Sequence, residues 1–145
     1  MDIGIKPFFK NMTSLGSGYF YGIVIISFII LGYIHLAIKL VLGFIIAYIL
    51  TIGIRSIYYK ERPDKENYTN WISKISSSSF PSMHSLCASF MATFFSITFG
   101  SINLGIFLGI IALLVSYSRV YLKRHYLNDV IIGIILGVIM GIILA

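Results

Sequence analysis

Three short stretches of this chain hold most of its groups able to act on a phosphate: Arg55 with Arg62-Pro63, then Pro81-Ser82-Met83-His84, then Ser118-Arg119 followed by His125 and Asp129. Guanidinium groups meet phosphate oxygens bidentately and offset charge as it shifts during transfer. One histidine can attack phosphorus, a second can carry the proton of a departing oxygen, and a carboxylate can fix the tautomer of the first. His125 and Asp129 stand four apart, so a helix running through both would put them on one face, with Asp129 accepting from one ring nitrogen and the other left to attack. The same pair also suits a surface ion pair that caps a helix. His84 follows a proline at what reads as a helix start, where the first N–H groups and the Ser82 hydroxyl form an anion site. Taken alone, this stretch reads more simply as an interfacial histidine beside a cap, and each arginine alone as a headgroup contact. The joint occurrence of the three stretches, in order, is what points to phosphoryl chemistry.

The elements that must position them are membrane helices. A composition of 58% hydrophobic and 11% charged residues over 145 positions, with a mean hydropathy of +0.94, excludes a soluble fold and allows one membrane-embedded domain over 1–145. Tyr19 to Tyr59 is almost continuously apolar, and as one helix it would be about 60 Å long, twice a hydrocarbon core of roughly 30 Å. It must therefore cross twice, with the break near Gly32-Tyr33-Ile34-His35 and His35 at the boundary. A polar loop at 60–80 follows, with Trp71 suited to the headgroup level, and then three further apolar segments at about 84–100, 102–118 and 128–145. The expected architecture is an all-α polytopic transmembrane bundle of about five spans. Counting crossings puts all three stretches, and the N-terminus, on one membrane face, where the active site would lie.

Gly133, Gly137 and Gly141 repeat every four residues in the last segment, as Gly105 and Gly109 do in the one before, a spacing that favours close helix packing. Residues 1–18 are expected at the interface, with Phe8 and Phe9 inserted and Lys6 and Lys10 among headgroups; a frayed tail is the simpler alternative, and a cleaved signal peptide does not fit. Cys87 is a single cysteine in an apolar stretch and reads as packing. The net charge of +6 is spread without a dense basic run, so anionic lipid or phosphate is expected as partner and nucleic acid is not.

With these residues in place, the chain resembles the type 2 phosphatidic acid phosphatase family, whose superfamily includes the vanadium haloperoxidases. That family's pattern is Lys-x6-Arg-Pro, Pro-Ser-Gly-His and Ser-Arg-x5-His-x3-Asp. Here Arg55 stands at the lysine position and Met83 at the glycine position, while Ser118-Arg119-x5-His125-x3-Asp129 matches in full. The resemblance covers 55–129 and implies His125 as a nucleophile forming a phosphohistidine, Asp129 as its partner and His84 as general acid and base. It implies Arg55, Arg62, Ser82 and Arg119 as phosphate-binding residues, with no metal or other cofactor; Asp64 and Glu66 offer no third carboxylate ligand. One span fewer precedes the first motif than in six-helix members.

The expected activity is hydrolysis of a lipid phosphate or diphosphate, of the polyprenyl diphosphate or phosphatidate type, with a slight lean towards the former. The alternatives are lipid phosphotransfer to an alcohol, and a noncatalytic lipid-binding membrane subunit, against which the two histidines argue. The positive-inside rule applied to Lys6, Lys10, Lys60, Lys65, Lys74, Lys123 and Arg124 against Lys39 leans cytoplasmic for the active face, whereas the family resemblance leans outward. Asn11-Met12-Thr13 and Asn67-Tyr68-Thr69 fit the glycosylation sequon, which matters only in a eukaryotic lumen.

Overall fold

The computed structural model describes residues 4–64 and 69–145; Ile3, Lys65, Glu66 and the sequon residues Asn67 and Tyr68 lie outside them. The described residues form seven helices and no strand: α1 Ile5–Ser14, α2 Gly18–Ile30, α3 Ile34–Ile57, α4 Trp71–Ser77, α5 Met83–Thr98, α6 Ile102–Tyr121 and α7 Leu127–Leu144. The five apolar segments expected from the sequence are α2, α3, α5, α6 and α7. Three of them, α3, α6 and α7, are each long and apolar enough to cross a membrane, and α1 with α2, bent by 49° at their junction, makes a fourth candidate. The sixteen residues of α5 are shorter, yet ten of them are buried, so α5 is the enclosed axis of the bundle.

Local chemistry accounts for the breaks. Gly32 sits at φ +82°, where the Tyr33 N–H turns back to Phe28 O, so α2 ends in the left-handed residue that glycine tolerates. Gly100 at φ +59° does the same after α5, and the Ser101 side chain then caps α6. The polar 60–80 stretch is not all loop: Asn70 and Ser73 cap each other's backbone and start α4, with Trp71 exposed on its first turn. Helix α6 runs on to Tyr121, three residues beyond the apolar segment, so Arg119 sits in its last turn, where a cation favours the helix C-terminus.

The strongest packing in the molecule is α5 against α7, and it is made backbone to backbone. A Cβ at Gly133 would stand 2.6 Å from Ser82 O, and one at Gly141 2.6 Å from Thr93 Cβ; at Gly137 it would collide with Leu86 O. Glycine is therefore required at all three, as the four-residue spacing implied. The second glycine pair behaves differently: Gly105 faces Ser96 closely, whereas Gly109 has nothing within 4 Å. The core is completed by Tyr21 and Leu40 packed with Leu86, Phe90 and Phe94 of α5, and the buried Tyr21 hydroxyl donates to Leu40 O at 3.0 Å.

Gly137→Leu is expected to destabilise the bundle by about 3 kcal/mol or more through overpacking, while Gly109→Ala should be neutral or slightly stabilising. Thermal unfolding of the two variants in detergent checks both; equal behaviour would refute the packing asymmetry.

Candidate active site

The helix directions bring the three stretches to one end of the bundle. Arg55 closes α3, Arg62 lies in the loop after it, Met83 and His84 open α5, Arg119 closes α6, and His125 lies in the turn before α7. These six residues, with Cys87, Gly16 and Gly18, line one cavity of about 150 Å³. Among its described lining residues there are three guanidinium groups and no carboxylate. Such a cluster of like charge calls for an anion.

Arg55, Arg62 and His125 are each held from behind by a carbonyl, and Arg119 by the Thr13 hydroxyl. The Arg55 guanidinium donates to Pro81 O at 3.0 Å and to Ser76 O at 3.4 Å, and Arg62 donates to the same Ser76 O at 3.0 Å. The Arg55 Nε–H is buried and meets no acceptor among the described residues, which leaves a donor for a ligand beside the cavity. The serine run before Pro81 thus supplies acceptors and not a solvated linker; Ser77, Ser78 and Ser79 are buried.

His125 is 2% exposed, and its Nδ1 lies 2.5 Å from Ser79 O. A carbonyl can only accept, so Nδ1 carries the proton. Burial, together with Arg119, Arg62 and Arg55 nearby, lowers the imidazole from the ordinary histidine value to about 2, against a smaller upward pull from the Ser79 bond. The ring is therefore neutral, and Nε2 is the nitrogen with a free lone pair. A tight turn delivers it: Arg119 O accepts from both Arg124 N and His125 N, and Lys123 takes φ 56° to make this possible. That left-handed residue costs about 1 kcal/mol.

Asp129 does not hold His125 as the sequence reading expected. His125 precedes α7, so the two residues do not share a helix face, and the fully buried carboxylate turns to Lys60 Nζ at 2.5 Å and to Tyr126 N at 2.9 Å. Lys60 in turn accepts at its carbonyl from Ser79 N and lies over the Tyr126 ring. It joins the first, second and third stretches, a role its sequence position gave no sign of.

Ser82, expected on the phosphate, caps α5 instead: its Oγ accepts from Ser85 Oγ at 3.0 Å and faces Ser85 N, it is fully buried, and it does not line the cavity. Its backbone N–H donates to Asp129 O, which ties α5 to α7. Met83 stands in the first turn of α5, where the backbone is ordinary helix, so a side chain is tolerated there and contributes to both core and cavity. Cys87 packs in the core and reaches the cavity wall. His35 is exposed in the first turn of α3, at the other end of the bundle. Among the described residues no three His, Cys, Asp or Glu side chains form a metal-ligand group. A larger groove of about 460 Å³ between α5, α6 and α7 is lined by Ser89, Thr93, Ser96, Gly105, Gly109 and apolar residues, and contains no titratable group.

Comparison with known proteins gives a consistent result. The model of the PAP2 superfamily matches residues 36–145. The structure is similar to that of Aquifex aeolicus LpxE, at 26% identity and a TM-score of 0.79 over 97% of this chain and 84% of that one. It is similar to that of a transmembrane PAP2-type phosphatidylglycerolphosphate phosphatase from Bacillus subtilis, at 25% identity and a TM-score of 0.80 over 99% of this chain and 76% of that one. No curated protein sequence matches.

Two outcomes follow from the site's electrostatics. Below about pH 6.5 an unfolded chain takes up a proton that folded His125 refuses, so stability must fall as pH falls, by up to about 1.4 kcal/mol per unit. His125→Asn, which keeps a donor for Ser79 O, should flatten this acid limb in unfolding measurements at pH values from about 6.5 down to about 4.5; an unchanged slope would contradict the neutral-ring assignment. Lys60→Met strands the buried Asp129 carboxylate and should cost about 3 kcal/mol or more at neutral pH, read by the same unfolding assay.

Proposed function

The chain belongs to the PAP2 superfamily, and from that premise we propose that it is an integral-membrane phosphatase that hydrolyses a lipid phosphate or diphosphate through a phosphohistidine on His125. The observation that carries this reading is the Nδ1–H of His125 anchored on Ser79 O, which leaves a neutral Nε2 on a cavity walled by three arginines and a second histidine.

In the first step Nε2 of His125 attacks phosphorus and the bond from phosphorus to the leaving oxygen breaks, with His84 giving that oxygen its proton. The negative phosphate itself favours the protonated form of His84 when bound. In the second step His84 takes a proton from water, the water oxygen attacks phosphorus, the P–N bond breaks, and inorganic phosphate leaves. Arg55, Arg62 and Arg119 stabilise the equatorial oxygens throughout, which supplies fixed positive charge without a metal in this scheme. Ser82 serves by capping α5, whose first N–H groups face the anion. Asp129 acts at one remove: held by Lys60, it fixes the turn that carries His125.

The lipid part has a place to go. An apolar cavity of about 230 Å³ is lined by Leu15, Phe20, Val24, Met91, Phe95 and Leu108 among others, and Leu15 neighbours Gly16, which lines the phosphate cavity. A polyprenyl diphosphate suits this small site best. A phosphatidate-type monoester is the second candidate, in line with the B. subtilis phosphatase named for phosphatidylglycerolphosphate. Transfer to an acceptor alcohol would use the same phosphohistidine.

The test is phosphate release from a polyprenyl diphosphate and from a phosphatidate by the detergent-purified chain, with a chelator present, beside His125→Ala. The wild type should turn over at least one lipid and the variant should lose about a thousandfold or more. Undiminished release by the variant would sink the mechanism; appearance of a phosphorylated alcohol in place of free phosphate would favour transfer.

A further inference from the structure

Helix α4 has an exposed apolar face and little protein to hold it. Trp71, Ile72 and Ile75 fall on one side of its seven residues by helical spacing, with Ser73, Lys74 and Ser77 opposite. Trp71 is 68% and Ile72 76% exposed, whereas only Ser77 of the helix is buried. A tryptophan and an isoleucine exposed side by side mark a surface that meets something other than water. Polar contacts tie the helix to the bundle: Arg55 and Arg62 both donate to Ser76 O, Lys60 N donates to the Ser78 hydroxyl at 3.2 Å, and Lys74 Nζ lies 5.2 Å from the centre of the Tyr59 ring. An element with so little burial opens readily unless something else covers it.

The neighbouring helix indicates what covers it. Arg55 stands in the last turn of α3, a helix long and apolar enough to cross a membrane, and its bond to Ser76 O sets α4 beside that end. Exposed isoleucines run along α3 to its last residue, at Ile45, Ile49, Ile52 and Ile57, and Tyr58 after them is exposed as well. A lipid-facing surface therefore reaches the level of α4, whose apolar face continues it. Tryptophan favours this level, where the ring meets acyl chains and the indole N–H meets headgroups. A bilayer surface is the partner such a face fits, taking the apolar side of the helix roughly 5–10 Å into the boundary between headgroups and acyl chains.

Ser76 O is shared by two of the three arginines that wall the phosphate cavity. A displacement of α4 moves that acceptor and frees both guanidinium groups from it. Resting on the phosphate site of the reading above, we infer that α4 is a membrane-surface anchor: Trp71 and Ile72 seat it in the bilayer interface, and this seat holds Ser76 O where it positions Arg55 and Arg62 for the phosphate. Trp71 and Ile72 are positioning residues, acting through the Ser76 carbonyl.

Trp71 is the single tryptophan of the chain, so its fluorescence reports on α4 without a label. In vesicles of phosphatidylcholine brominated on the upper acyl carbons the full chain should lose most of its emission, bromines near the terminal methyls should quench less, and iodide in the water should quench weakly. Emission quenched by iodide and not by brominated lipid would overturn the inference, as would emission shielded from both, which would place protein against Trp71. Binding of inorganic phosphate to the chain in unbrominated phosphatidylcholine vesicles, measured calorimetrically, tests the coupling. The double substitution Trp71→Ser, Ile72→Ser should weaken it about tenfold, the size of one charge-assisted hydrogen bond lost from the site. Trp71→Phe, which keeps an aromatic at the interface, should bind phosphate as the wild type does. Because both side chains are exposed, the double variant should unfold at the wild-type temperature. Wild-type phosphate binding in it, or weaker binding that comes with a lowered unfolding temperature, would overturn the coupling. A wild type that hydrolyses neither a polyprenyl diphosphate nor a phosphatidate would instead refute the phosphatase reading, and quenching and phosphate binding would still decide the role of α4.

Discussion

Glycine at 133, 137 and 141 lets α7 lie against α5 with carbonyl oxygens where side chains would otherwise stand. Everything catalytic in the proposed site depends on that approach. It allows Ser82 N to reach Asp129 O, and it brings the turn before α7 close enough for His125 to reach Ser79 O. Helix association inside a membrane gains little from burying apolar surface, so close van der Waals contact along small residues is the main means of holding two such helices in register. The register here sets the position of a nucleophile.

The charge arrangement follows from the same geometry. Three arginines converge on a cavity whose described lining carries no carboxylate, while the carboxylate of the third motif is turned away and matched with Lys60. Had Asp129 faced the cavity, it would have offset a guanidinium and competed with phosphate. Its burial beside Lys60 stabilises the turn and leaves the cavity cationic. Because carbonyls of Ser76, Ser79 and Pro81 orient Arg55, Arg62 and His125 without bringing negative charge, these three are held in place and still available to an anion.

Much of this was legible in the residues. The apolar segments gave the helices, crossing parity gave the convergence of Arg55, Arg62, His84, Arg119 and His125, and the four-residue glycine repeat gave a close-packing face on the last helix, though not its partner. What was not legible depended on where a helix begins. The spacing of His125 and Asp129 suggested a shared face, but α7 starts at Leu127, after a turn that uses Lys123 in the left-handed region, so the partners were exchanged. Ser82 was recognised as a polar group at a helix start, yet whether its hydroxyl faces the ligand or its own helix is decided by backbone geometry. The serine run at 76–79 read as loop because backbone acceptors carry no sequence signal, and Thr13 and Gly16 carried none either, being far along the chain from the residues they touch.

Helix α5 carries a consequence for the bilayer. Its sixteen residues rise about 24 Å, against about 36 Å for the twenty-four of α3 and roughly 30 Å for the hydrocarbon of an average membrane. The bundle is thus mismatched along its own axis, because its enclosed central helix is shorter than α3 beside it. Lipid adapts to the lengths of the outer helices at a cost of fractions of a kcal/mol per Å. A thicker membrane would lift the headgroup plane away from the cavity while leaving α3 well matched, so bilayer thickness itself becomes a variable in how far a phosphate must descend to be reached.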